Sequence, residues 1–144
     1  MIALILLAAA APEKSAGIEE TRFAECVAAV EQDAAAAVRT AESWRLSGGG
    51  LNARLCLGLA YAAQKRWPAA RLAFELAAKQ AERERDARAA SFWVQAGNAA
   101  LAGGELVVAR NALDAALGSA LLKGAEAGEA HLDRARALAG LGDL

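Results

Sequence analysis

Strand-forming residues are scarce in this 144-residue chain, which has six valines, three isoleucines and two threonines. Such residues fit a pleated, half-buried surface best, so their scarcity disfavours a sandwich, a barrel or any sheet of several strands. Proline is confined to Pro12 and Pro68, and aromatic residues make up only 5%. Neither sign of charge dominates. Sixteen Lys and Arg against seventeen Asp and Glu leave a net of −1, which gives no basic excess for nucleic acid and no acidic tail. One histidine, His131, and two cysteines are too few for a zinc site of the usual kind. The apolar N-terminal run Ile2–Ala11 has ten residues, where a membrane span needs about 20.

What remains is alanine and leucine, 42 and 20 residues respectively. Both are strong helix formers, and with 56% of residues apolar the chain can bury enough surface to fold. Its length suits one domain or a short repeat array. The N-terminal run has the length of a secretory h-region, with small residues at Ala8-Ala9-Ala10 for cleavage before Ala11. It carries no Lys or Arg ahead of that run, so the alternatives are a first helix or the tail of a longer signal. The expected organisation is a signal at 1–10, a short linker at 11–17 and a helical domain at 18–144. Export places the mature chain in the periplasm or outside the cell; without it the chain is cytoplasmic. In an oxidising compartment Cys26 and Cys56 pair as a disulfide closing a loop of about 30 residues. In a reducing one they are small buried side chains.

The interior repeats itself. Arg54-x2-Leu57-Gly58-x2-Tyr61 is followed by Ala70-x3-Phe74-x2-Ala77. A second copy carries Trp93, Ala96, Gly97 and Ala100, then Ala109, Leu113 and Ala116. An earlier copy carries Thr21, Ala24, Glu25 and Ala28, then Ala37, Ala41 and Trp44, and a last partial one begins near Gly128 with Ala135 and Leu138 in register. This pattern resembles the tetratricopeptide repeat (TPR) family, whose units read Trp-x2-Leu-Gly-x2-Tyr…Ala-x3-Phe over about 34 residues. Arg54 replaces the leading Trp and Glu82 the late proline. The copies fall at about 18–50, 51–84, 90–123 and a half repeat at 128–144, with Arg83–Arg88 as an insertion that extends the preceding helix. The expected helices are 18–31, 34–46, 51–65, 68–86, 89–102, 105–121 and 127–141. The expected fold is all-α, an α-α superhelix of antiparallel helix pairs. Small residues at the eighth and twentieth positions are expected to meet where paired helices approach, and the alanine excess follows from such close contacts.

No chemical constellation stands out, and no cofactor or metal is implied. Gly48-Gly49-Gly50 lacks the Gly-Lys-Ser/Thr of a phosphate loop and reads as a turn. Carboxylates such as Glu19-Glu20 suit exposed helix starts, and the alternating charges of Glu82–Arg88 suit a solvated helix with local ion pairs.

The TPR resemblance implies a concave groove lined by the first helix of each repeat. Its ligand-facing positions carry over to Arg22, Asn52, Leu55, Leu59, Ser91, Val94, Asn98, Leu101, Leu132 and Arg136. The function it implies is non-catalytic: binding a protein partner, as an extended peptide or a helix, with no nucleic acid and no membrane span in the mature chain. The competing reading is that these leucines and Val94 simply pack inside. Leu132, Leu138 and Leu141 also form an apolar edge with no second helix behind it. Either a partner covers that edge, or the chain self-associates there as an assembly subunit, or it belongs to a longer array.

Overall fold

The structure, a computed structural model, describes residues 12–143. The signal segment expected at 1–10 lies outside the described residues. Within them the chain forms seven helices and no strand. They are α1 (Pro12–Gln32), α2 (Ala34–Leu46), α3 (Gly50–Ala63), α4 (Trp67–Glu84), α5 (Ala89–Ala102), α6 (Leu106–Gly118) and α7 (Gly124–Leu141). α1 takes in residues 12–17, which the sequence reading leaves as linker. Proline is well placed at a first helical residue, because no N–H is needed there.

The ends of α2, α3, α4, α5 and α7 follow one backbone rule. In α3 the amide of Lys65 donates to Ala62 and that of Arg66 to Tyr61. In α5 Gly104 donates to Leu101 and Glu105 to Ala100, and in α7 Gly142 donates to Ala139 and Asp143 to Leu138. Each is the paired 5→2 and 6→1 closure that satisfies the last carbonyls of a helix. The left-handed residue is Lys65 (φ 55°), Gly104 (φ 76°) or Gly142 (φ 74°), the fifteenth position of its copy each time. α2 closes the same way around Gly48 (φ 93°) and α4 around Arg85 (φ 56°). The insertion therefore extends α4 only to Glu84, and Asp86–Arg88 is a turn rather than more helix. α1 and α2 meet differently, across Asp33 alone, whose carboxylate accepts from the Ala36 amide at 2.9 Å as an N-cap.

Each helix packs on the next, and in addition α1 packs on α3 and α5 on α7. The core between them is mostly alanine. Ala37, Ala70 and Ala109, the twentieth residues of three copies, are fully buried, as are Ala77 and Ala116 at the twenty-seventh. The bulk comes from a few large side chains, Trp44, Phe74 and Leu113, each under 2% exposed and each contributing roughly 1.5–3 kcal/mol by burial. The eighth-position glycines make room for Phe74 and Leu113 rather than for alanine. A methyl group at Gly58 would run into the Phe74 ring, and one at Gly97 would lie 2.7 Å from Leu113 Cγ. The partner is thus the twenty-fourth residue, not the twentieth, because that position points its bulk across the hairpin.

Cys26 and Cys56 form a disulfide with Cα atoms 6.2 Å apart, joining α1 to α3. Both are buried in a cluster with Trp44, Ala53 and Leu57.

Candidate binding groove

Hollows open between odd-numbered helices, where α1 packs on α3 and α5 on α7. The first, of about 430 Å³, lies between α1 and α3. Phe23 and Leu55 give it apolar walls, and Glu19, Glu20, Asn52 and Arg88 give it a polar rim. The second, of about 560 Å³, lies between α5 and α7 and is lined by Asn98, Leu101, Ala102, Asp133 and Arg136. A third, of about 330 Å³, continues along α7 over Glu129 and Leu132 and shares Asp133 and Arg136.

The ten groove positions from the sequence divide into three groups. Asn98, Leu132 and Arg136 are exposed, and Asn52, Leu55 and Leu101 are half-buried; all six line the hollows. Ser91 and Asn52 make bonds between repeats: Ser91 Oγ donates to Glu126 Oε1 at 2.6 Å, and Asn52 Oδ1 accepts from Arg88 Nη1 at 2.9 Å. Both stand at the second position of their copy and reach the start of the next odd helix. The remaining three lie elsewhere. Val94 is buried against Leu113, Ala116 and Ala130. Leu59 is half-buried beside Phe74 and Ala96. Arg22 is exposed at the surface, its guanidinium 4.9 Å from the centre of the Trp44 ring on α2.

Phe23, Arg88 and Asp133 also line the hollows, outside the ten positions that the repeat pattern marks. Phe23 and Asp133 both stand at the sixth position of their copies, one residue beyond Arg22 and Leu132. That shared register was available in the sequence. Arg88 belongs to the turn before α5, and no repeat position could have marked it.

The two groove arginines are engaged with carboxylates. Arg88 grips Asp86 through Nη2–Oδ2 at 2.7 Å and Nε–Oδ1 at 3.0 Å, and its amide also donates to Oδ1 at 2.9 Å. The side-chain bond from Arg88 holds Asp86 below the usual carboxylate range, and the same bond raises Arg88 above its ordinary value. Arg136 Nη1 meets Asp133 Oδ1 at 2.5 Å. Away from the groove, Arg71 is raised above its ordinary value by its bond to Glu75, with Glu105 adding to it.

A further hollow of about 310 Å³ lies on the other side, between α2, α3 and α4, where Leu72 and Leu76 are exposed beside Leu57 and Tyr61. Glu82, which stands where the repeat pattern has proline, accepts from Trp93 Nε1 at 2.7 Å and so ties α4 to α5. His131 is exposed on α7. Among the described residues no polar or charged side chain is buried, and no group of three or more His, Cys, Asp and Glu converges as for a metal ion. Nor is any described helix long and apolar enough to cross a membrane. Comparison of the chain with protein-family models, with curated proteins and with solved structures finds no match.

Proposed function

We propose that this chain is a non-catalytic interaction module of the tetratricopeptide type, binding an extended peptide or a partner helix along the face of its odd-numbered helices. The observation that carries the reading is the repeated hairpin. The same left-handed turn recurs at Lys65, Gly104 and Gly142, and the hollows with apolar walls and polar rims fall on the odd helices between those turns. Contacts of α1 with α3 and of α5 with α7 favour a stack that curves toward the odd side. In that arrangement Leu55, Leu101 and Leu132 receive apolar side chains, and Asn98 hydrogen-bonds the partner's backbone. The buried Cys26–Cys56 pair favours an oxidising envelope compartment. Intact protein from its native source should then gain two hydrogens on reduction.

The test fills the groove without touching the core. Asn98 is exposed, so Asn98→Trp should leave the helical circular-dichroism spectrum unchanged and weaken partner capture at least about tenfold, as expected for blocking a central contact. Capture unaffected by this variant would count against the groove. A second reading, self-assembly through α7, draws on the exposure of Leu132 (53%) and Leu141 (36%). Light scattering over a concentration series separates the two, since a mass that stays monomeric removes assembly.

A further inference from the structure

We propose that the odd-helix groove selects a basic segment, an extended stretch of a partner protein in which Lys or Arg side chains alternate with small or apolar ones. The inference rests on the groove reading above and adds the sign of the charge that the groove accepts.

It follows from how the charges along that face are used. The two cations that line the hollows are neutralised within the protein, Arg88 by Asp86 and Arg136 by Asp133. The remaining carboxylates of that face are not. Among the described residues Glu19, Glu20 and Glu129 pair with no cation, and Glu126 accepts only the Ser91 hydroxyl. Arg22 is turned onto the Trp44 ring and lines none of the hollows. Unpaired negative charge therefore stands at both ends of the groove, beside Phe23 and Leu55 at one end and Leu132 at the other. This is not a consequence of bulk composition, because the chain as a whole carries only −1. On the opposite side Arg54 meets a neutral partner, Gln80.

Apolar walls flanked by unpaired carboxylates fit a segment that offers aliphatic stems ending in cations. Lys and Arg do so, laying their methylenes along the walls while the charged heads reach the rim. Charge complementarity of this kind steers encounter and rejects partners of the wrong sign more than it adds affinity. A phosphate backbone or an anionic bilayer would meet the same carboxylates and be repelled.

The experiment is selection of random dodecapeptides displayed on phage against the full-length protein. Parallel selections use the Asn98→Trp variant and the Glu19→Lys/Glu20→Lys/Glu129→Lys variant, each checked for an unchanged helical spectrum and melting temperature. Winning peptides should be enriched in Lys and Arg over Asp and Glu. Made synthetically, they should bind the charge-reversed variant at least about tenfold more weakly at low salt, with the difference shrinking at high salt as screening shortens its range. Acidic or uncharged winners that Asn98→Trp still displaces would leave the groove in place and overturn its proposed selectivity. Winners indifferent to Asn98→Trp would overturn both.

Discussion

Lys65 occupies a backbone conformation that glycine fills at the matching turns, with φ 55° against 76° at Gly104 and 74° at Gly142. A Cβ in the left-handed region costs roughly 1–2 kcal/mol, partly recovered because glycine loses more entropy on folding. Lys65→Gly should therefore raise stability by about 0.5–1 kcal/mol, and Gly104→Ala should lower it by about 1 kcal/mol; urea unfolding midpoints measure both. The same residues explain where helix ends could be read from the sequence. α2, α5 and α7 stop where the sequence places them, at 46, 102 and 141, and each is closed by a glycine, Gly48, Gly104 or Gly142. α3, α4 and α6 stop two or three residues short of their expected ends, where Lys65, Arg85 and Ala120 take the left-handed position instead. A lysine or arginine there gives no sign of stopping, because by propensity both favour helix.

Asp86 makes a pH-dependent contribution to stability. Arg88 lowers its folded-state value below that of the unfolded chain, so the stabilisation is present above the unfolded carboxylate value, about 3.9. It is lost as pH falls through the folded value. Arg88 is about half exposed, so solvent screening keeps the contribution under about 1 kcal/mol. Asp86→Asn should lower the midpoint slightly at neutral pH, with the difference fading as pH falls below the ordinary carboxylate range and through the lowered folded value. A difference that persists in acid would contradict this assignment.

Of the seven helices, α1 is held least by side-chain bonds. Among its described residues Cys26 alone is buried, with Phe23 and Val30 half-buried beside it, and no hydrogen bond or ion pair from an α1 side chain reaches another helix. By contrast Trp93 ties α4 to α5, and Arg134 ties α7 to Asp114 on α6. The disulfide is therefore the main tether of α1. Closing a 30-residue separation stabilises by about 3–4 kcal/mol in the chain-entropy model. Cys26→Ala/Cys56→Ala should lose stability of that order, and amide exchange should accelerate in α1 before it does in α3–α6. Uniform acceleration would mean that α1 is fixed by packing instead. The sequence placed the two cysteines on first helices of adjacent copies, and the pairing needed only that α1 and α3 lie side by side.

Taken as a whole molecule, the array is built from an alanine-rich interior, and this explains why the architecture is easier to read than the site. Small residues recur at fixed positions because each helix must approach its neighbours closely, so the periodicity survives in the sequence. Groove residues obey no such packing rule. Asn52 and Ser91 have the polarity of ligand contacts, yet they bond the next repeat. Val94 has the shape of a groove contact, yet it is buried under α7 against Ala130. Arg88 enters the groove from a turn. These outcomes depend on which copy adjoins which, and a position count within one repeat does not carry that information.

In the proposed mode of binding, a partner segment lies along the odd-helix face. Amide chemical-shift mapping of the protein with a bound peptide tests it most directly. The expected result is a set of shifted residues on α1, α3, α5 and α7 that includes Asn52, Asn98, Leu101 and Arg136. Shifts confined to the hollow around Leu72 and Leu76, or to the exposed edge at Leu141, would contradict it.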